Sequence, residues 1–374
     1  MAINRRIPPL ETTPDKNVFV MMRYQDSDPF RRIESSIRAT LKRYGLYARF
    51  AKDVRQANLL WPNITRYMDQ CRYGIAVFDN LPIEKDEPRL NPNVCTELGY
   101  MLAKGKEREC LILKDRNLSL STDLSGFLYD QFDGNKIDSL SRVVGSWVEQ
   151  VVRVLPLLQG LAMLLPGSKI ARRLNEQAFE KLAIGKYIAD EYLPANLGKG
   201  PLILDSGTTA ASVAEALLLS RAQFPSLDIH TNNLIASVLL SSARNFRCHL
   251  VPGVVDEDFA GVFGTTADAA IATVDATVRI LACTSFTYES GPHANSAENR
   301  SFKKAILGPA GKAKTVIVVT SQNVGKRHGQ PVIGPARHWM KMFRDKVDLV
   351  VTSPGPEAEE LRKKVGRKVK IVGM

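Results

Sequence analysis

The chain has 374 residues, of which 44% are hydrophobic and 24% charged, and its net charge is +12. This length indicates two or three globular domains with full hydrophobic cores. The positive charge favours binding of phosphorylated ligands, nucleic acid or anionic membranes. The alternative is that the protein simply has a basic, soluble surface. No basic strip is interleaved with aromatic residues, which counts against a nucleic-acid-binding surface.

The five cysteines are scattered through the chain and form no Cys-x-x-Cys pair and no Cys/His cluster. This pattern predicts a reducing, cytoplasmic setting without a structural metal. Residues 1–16 are expected to be a loosely held leader, without the apolar centre of a signal peptide. The most hydrophobic run, 151–165, is interrupted by Arg153 and Pro156, so no membrane span is expected.

After residue 16, strand patterns alternate with helical patterns. Strands are predicted at 17–22, 46–50, 73–78 and 109–113, with amphipathic helices between them. This β-α alternation predicts a mainly parallel sheet whose ligands bind at the carboxyl ends of the strands. Neither a Gly-x-Gly-x-x-Gly turn nor a P-loop is present, which counts against a dehydrogenase or an ATPase.

The segment from Asn91 to Gly105 is predicted to be a helix. Asn91 can cap it, Pro92 fits its first turn and Gly105 can end it. Glu97 lies at the rim of the apolar face of this helix. An acid there is costly unless it is paired or used, although the helix dipole alone also favours glutamate near a helix start.

Two motifs in this region resemble a known family. Asn93-Val-Cys-Thr-Glu-Leu-Gly-Tyr100 is followed by Asp123-Leu-Ser-Gly-Phe-Leu-Tyr-Asp-Gln-Phe-Asp133. Over residues 16–135 the sequence resembles the bacterial TIR-like predicted nucleotide-binding family, and the helix is also similar to the Glu-Leu-Gly helix of nucleoside deoxyribosyltransferases. The resemblance implies a flavodoxin-like sheet, cleavage of an N-glycosidic bond, most often that of NAD, and Glu97 as the catalytic acid.

Further polar residues are expected at the same edge of the sheet. The loop after the first strand can bind a phosphate or stack on a base, and the acid that ends the third strand can bind a ribose hydroxyl, although each also fits an ordinary solvated loop. The candidate substrate-binding residues are Arg23, Tyr24, Asp79, Asn93, Ser125 and Gly126.

Residues 136–198 read as a helical connector, and a second α/β domain is predicted over 199–374. Its first predicted strand is followed by the turn Asp205-Ser-Gly-Thr-Thr209 and the start of a helix. The backbone N–H groups of such a turn and helix start can bind an anion. Ser and Thr also serve as ordinary helix caps. The histidines at 230, 249, 328 and 338 show no metal-ligand spacing along the chain.

The region from about 170 to 374 resembles the effector-sensing domain of DeoR-family repressors, which belongs to the phosphosugar isomerase and CoA-transferase superfamily. The matching pieces include the Asp205 turn, Thr231-Asn232, Gly261 to Gly264, Glu298 to Lys304, and Ser321 to Lys326. The resemblance implies an effector pocket lined by Asp205, Ser206, Gly207, Thr208, Thr209, Thr231, Asn232 and Lys326. The family's helix-turn-helix is replaced by the TIR-like domain, which argues against transcriptional repression.

Together these features predict a leader (1–16), a TIR-like domain (17–135), the connector (136–198) and a sensor domain (199–374). The expected function is a ligand-activated NAD+ hydrolase in bacterial antiviral defence. NAD+ would be its substrate rather than a cofactor, with no metal or other cofactor, and the chain would form a homo-oligomer. Two alternatives stay open: a non-catalytic ligand-binding assembly protein, and a sugar-phosphate or nucleoside-processing enzyme that uses the C-terminal pocket.

Overall fold

The protein is described by a computed structural model that covers residues 10, 12–53, 61–82, 88–119, 129–134, 136–154, 160, 169–308, 313–334 and 336–372. The chain forms two compact units, Met1–Leu155 and Pro156–Met374. Both are α/β folds built on parallel sheets, as the sequence predicts.

The first unit alternates strands and helices along the chain. Its elements are β1 (Asn17–Met21), α1 (Asp28–Arg43), β2 (Tyr47–Arg49), α2 (Trp61–Met68), β3 (Tyr73–Phe78), α3 (Pro92–Ala103), β4 (Cys110–Asp115), β5 (Asp130–Phe132) and α4 (Ile137–Glu149). The five strands are parallel in the order β2-β1-β3-β4-β5. This is the flavodoxin-like order, whose topological switch point lies between β1 and β3.

Both faces of this sheet are covered, because β1 and β3 are runs of buried residues rather than alternations of apolar and polar ones. Val18 and Val20 point to a core shared with α1 and α4. Phe19 and Met21 point to a second core that contains Leu98 of α3. This alternation places α3 against the sheet beside the switch point.

The second unit is built on a larger sheet. Its strands are β6 (Leu202–Leu204), β7 (Leu227–Thr231), β8 (Phe246–Leu250), β9 (Val254–Asp256), β10 (Gly261–Phe263), β11 (Val278–Ala282), β12 (Ser285–Thr287), β13 (Gly291–Ala294), β14 (Lys314–Val318), β15 (Gln330–Pro331), β16 (Val347–Thr352) and β17 (Val369–Ile371). Seven of them form a parallel sheet in the order β17-β16-β14-β11-β6-β7-β8, while β9-β10 and β12-β13-β15 form small antiparallel sheets.

Helices surround this sheet. They are α5 (Ile170–Asn175), α6 (Ala178–Tyr187), α7 (Leu193–Asn196), α8 (Thr208–Leu219), α9 (Leu234–Ser241), α10 (Thr265–Ala272), α11 (Ala297–Leu307), α12 (Ala336–Lys346) and α13 (Pro356–Val365). One core is centred on Trp339, Phe286 and Phe302. In the part of the chain that the structure describes, no helix is long and apolar enough to cross a membrane.

The described helices of the predicted connector are divided between the two units, and a separate helical connector is not confirmed. α4 packs on α1, with Leu140 and Val144 in the core of the first unit. α6 packs on α8 in the second unit. Gly185 makes that close approach possible, because a Cβ atom there would lie 2.4 Å from the carbonyl oxygen of Ser212.

Candidate functional site

Two buried residues meet at the switch point of the first unit. Arg23 follows β1, and its Nη2 donates hydrogen bonds to the carbonyl oxygens of Pro88 and Arg89, each over 2.9 Å. Its Nε lies 3.8 Å from Oδ2 of Asp79, which follows β3. Burial raises the pKa of Asp79, although the nearby Arg23 charge opposes this shift. Arg23 therefore joins the ends of two strands to the segment that leads into α3.

α3 begins as the sequence predicts. The Asn91 side chain caps it by accepting hydrogen bonds from the N–H groups of Asn93 and Val94, at 2.9 and 3.4 Å. Pro92 is the first helical residue, which suits proline because the N–H it lacks would have no partner there. This cap fixes where the helix starts, and so fixes the position of Glu97 one turn further on.

Glu97 is 7% exposed although it carries a carboxyl group. Within the described residues no hydrogen bond or ion pair reaches that group. Burial alone raises the pKa of Glu97 to about 7. A buried carboxyl without a partner costs stability and is typical of a group kept for chemistry.

Tyr24 lies in the loop after β1, close enough for the charge of Glu97 to act on its hydroxyl group. Burial of that group, and then the Glu97 charge, raise the pKa of Tyr24, so the hydroxyl stays protonated. The hydroxyl oxygen accepts the N–H of Ala51 at 3.0 Å, while 43% of the residue remains exposed. The Tyr24 hydroxyl group is thus held by Ala51, while part of the Tyr24 side chain stays accessible near Glu97.

The other predicted substrate residues are placed differently. Asn93 is exposed in the first turn of α3, near the helix start. Ser125 and Gly126 lie outside the described residues. The structure thus brings Arg23, Asp79, Tyr24 and Glu97 to one region of the first unit, with Arg23 and Asp79 engaged with each other.

The second unit contains a cavity of about 990 Å³. Among the described residues that line it, basic side chains outnumber acidic ones: Lys169, Arg172, Arg173, Lys181, Lys303 and Arg327 against Glu176, Asp256 and Asp258. The predicted turn residues Ser206, Gly207, Thr208 and Thr209 also line it. The cavity therefore suits an anionic ligand.

The turn that opens onto this cavity ends at α8. Gly207 precedes the helix with φ +105°, a conformation that side chains rarely adopt, and no side chain caps α8. The first N–H groups of a helix attract anions when no cap occupies them. Asn299 of α11 also lines the cavity; it is 4% exposed, and its Oδ1 has no hydrogen-bond partner among the described residues. Both features point to a ligand with polar groups.

Asp205 stabilises the turn at Ser206 to Thr209 and is not among the residues that line the cavity. It is buried and forms an ion pair with Lys303 of α11, and its carboxylate also accepts the N–H groups of Ser206 and Ala282 at 2.8 and 3.2 Å. Burial raises the pKa of Asp205, and the ammonium group of Lys303 opposes this.

Three other predicted effector residues are not among the described residues that line the cavity. Thr231 is buried, and its hydroxyl donates to the carbonyl oxygen of Leu204 at 2.6 Å. The Asn232 side chain donates to the carbonyl oxygen of Val262 at 3.2 Å. Lys326 is exposed beside Arg327, which does line the cavity.

Several lining residues were not predicted individually. Arg173 donates to the carbonyl oxygen of Asp258 at 2.8 Å, which holds the β9-β10 hairpin against α5. Lys181 donates to the carbonyl oxygens of Arg173 and Glu176 at the end of that helix. Lys303 and Asn299 fall within the 298–304 stretch that carried the resemblance, so that stretch was the available signal.

Comparison with family models tests the two family resemblances. Residues 17–134 match the model "CAP12/Pycsar effector protein, TIR domain", and residues 176–334 match "DeoR C terminal sensor domain". The chain carries a Pycsar-effector-type TIR domain followed by a DeoR-type sensor domain. The two family resemblances expected from the sequence are confirmed, and together they fit an antiviral-defence effector with a ligand-sensing domain.

Solved structures give weaker likenesses. eIF2B delta from Chaetomium thermophilum is 11% identical with a TM-score of 0.28, covering 83% of this chain and 97% of its own. The eIF2B-beta2-delta2 complex of C. thermophilum is 11% identical with a TM-score of 0.26, at 80% and 78% coverage. The constitutive lysine decarboxylase of E. coli is 6% identical with a TM-score of 0.20, at 81% and 46% coverage. Scores this low support no conclusion about function. No curated protein matches this chain significantly.

Proposed function

We propose that the TIR domain hydrolyses NAD+ and that the sensor domain switches this activity on when an anionic small molecule fills its cavity. The reaction breaks the bond between C1′ of the ribose and the nicotinamide nitrogen. Water supplies the hydroxyl group of the ADP-ribose product, and one proton is released. The Glu97 carboxylate stabilises the ribosyl cation that develops as nicotinamide leaves.

The observation that carries this proposal is the state of Glu97. It is buried beside the switch point, no described residue neutralises it, and burial holds its pKa at about 7. At neutral pH a substantial fraction of the group is therefore ionised in a poorly solvated site. A negative charge there interacts with a developing cation more strongly than it would in water.

The neighbouring residues fit the rest of the substrate. Tyr24 presents an exposed ring on which a base can stack, and its protonated hydroxyl stays fixed by Ala51. The Arg23–Asp79 pair holds the segment before α3. We assign Arg23 and Asp79 to positioning α3, because their charged groups already engage each other and that segment.

The sensor half of the proposal rests on the cavity. An excess of basic side chains, an uncapped helix start at Thr208 and the unpartnered Oδ1 of Asn299 describe a site for a phosphorylated or nucleotide-like molecule. The volume of about 990 Å³ accommodates a ligand of nucleotide size or larger.

A nicotinamide-release assay tests the proposal. Purified full-length protein is mixed with NAD+, with and without an extract of virus-infected cells. We expect release only with extract, loss of at least about 100-fold in Glu97→Gln, and full activity in Glu107→Gln, which makes the same chemical change outside the proposed site. If the wild-type protein releases no nicotinamide with any extract, that result would contradict NAD+ hydrolysis and favour a non-catalytic binding protein. If Glu97→Gln still releases nicotinamide and Thr208→Val does not, the catalytic site would lie in the C-terminal cavity.

A further inference from the structure

Strands β7 and β8 at one edge of the larger sheet bring together three side chains able to bind metal. Asp228 and His230 alternate along β7, so they lie on the same face of the sheet. His249 of β8 is directly opposite His230 in the parallel register. All three side chains are partly or largely exposed on this face.

The geometry of the three side chains is compact. The two imidazole rings stack with centroids 4.5 Å apart, and Nε2 of His249 lies 2.8 Å from Oδ1 of Asp228. One ligand atom from each residue lies within 4.8 Å of the other two. We propose that Asp228, His230 and His249 bind a divalent transition-metal ion of the Zn²⁺ class, with water at the remaining position.

The required adjustment is smallest for His249 and Asp228. Bonds of about 2.0–2.1 Å to nitrogen and oxygen place tetrahedral ligands roughly 3.3 Å apart, so His249 and Asp228 need separate by only about 0.5 Å. A ligand atom of His230 lies within 4.8 Å of those two atoms, so it must approach them by at most about 1.5 Å. Two imidazoles and one carboxylate are a ligand set that suits Zn²⁺, Co²⁺ or Ni²⁺ better than Mg²⁺ or Ca²⁺.

The charges around the cluster are mixed. Arg247 opposes binding, because its Nη1 lies 3.9 Å from Oδ2 of Asp228. The ion would leave Oδ2 available to Arg247 while it takes Oδ1.

This site was not predictable from the sequence, because the expected absence of a metal rested on the spacing of residues along the chain. His230 and His249 are far apart in sequence, and only the register of β7 and β8 makes them neighbours. A metal ion there would link the edge strand β8 to the rest of the sheet. Binding to the folded state alone would also raise the melting temperature of the protein.

Metal binding to the untagged full-length protein tests the proposal. We expect saturable binding of one Zn²⁺ per chain by calorimetry, and Co²⁺ should give the intense visible absorption of tetrahedral coordination. His230→Asn and His249→Asn should each weaken binding by about 100-fold or more, because each removes a ligand. His338→Asn, which removes an exposed histidine from α12, should bind like wild type.

Asp228→Asn keeps both histidines and provides a second test of the same geometry. It should bind more weakly than wild type and show a smaller rise in melting temperature at the same Zn²⁺ concentration. Circular dichroism checks that each variant is folded. Either of two results would overturn the proposal: no saturable binding by wild type, or one-site binding that folded His230→Asn and His249→Asn retain.

Discussion

At the scale of single residues, Glu97 imposes a cost on the fold that depends on pH. Its pKa of about 7 in the folded chain lies above the ordinary value of 4.5, because burial disfavours the charged form. The folded state therefore binds more protons than the unfolded state between these two values. As the pH rises through this window, the free energy of unfolding decreases.

Glu97→Gln should therefore stabilise the protein at high pH while it removes activity. A neutral amide avoids the ionisation penalty, so we expect a gain of about 3 kcal/mol at pH 8 and less than about 1 kcal/mol at pH 5. Denaturant unfolding of both proteins at the two pH values measures this. An equal effect at both values would mean that Glu97 is not buried as an uncompensated acid, and Glu107→Gln serves as the control.

At the scale of elements, the position of α3 depends on two arginines. Arg23 donates to the carbonyl oxygens of Pro88 and Arg89, and the Arg89 side chain donates to those of Leu81 and Asn80, at 2.9 and 2.8 Å. Together they hold the segment before α3 against the ends of β1 and β3. The helix that carries Glu97 is thus fixed by its cap and by these backbone contacts.

Arg23→Ala should destabilise the first unit, because it leaves the buried carboxylate of Asp79 without its nearest cation. Breaking a buried pair from one side costs about 3–5 kcal/mol, and two hydrogen bonds are lost as well. Arg31→Ala, which removes two exposed ion pairs, with Asp26 and Asp28, should cost less than about 1 kcal/mol. Chemical denaturation measures both. Similar small losses in the two variants would show that Arg23 is free to bind substrate rather than hold the loop.

The sequence predicted strands β1 to β4 of the smaller sheet, since their signals are local. Asn91, Pro92 and the apolar positions of α3 are sufficient to place that helix and to locate Glu97 at its rim. The surroundings of Arg23 were not predictable, because its backbone partners lie 65 and 66 residues away. The short strands β9, β12 and β15 were also missed, because two to three residues give no periodic pattern.

The composition of the cavity in the second unit was largely not predicted, because tertiary structure brings its residues together from distant parts of the chain. Asp205 was predicted to bind an effector, but the structure shows it paired with Lys303, 98 residues further along the chain. Lys303, Arg173 and Arg327 line the cavity from three separate segments. Only the turn at Ser206 to Thr209, a local feature, was identified in advance as part of the lining.

At the scale of the whole molecule, the proposed function places signal binding and NAD+ cleavage in different domains. The basic cavity belongs to the second unit, and Glu97 belongs to the first. A change confined to the cavity should therefore alter how much signal is needed, while the maximal rate of nicotinamide release stays set by Glu97. This follows when the change weakens ligand binding to both states of the protein equally, because the shift between the states depends on the ratio of the two affinities.

Arg327→Ala should shift the response to signal without abolishing activity. Loss of one charge-assisted hydrogen bond to an anion corresponds to about tenfold weaker binding, so we expect about ten times more infected-cell extract for half-maximal nicotinamide release. Arg337→Ala removes an exposed arginine from α12, outside the described lining, and should respond like wild type. Titration of extract against the three proteins at saturating NAD+ measures the shift. An unchanged midpoint in Arg327→Ala would place the signal elsewhere, and a reduced maximum with an unchanged midpoint would mean that Arg327 acts on the switch itself rather than on the ligand.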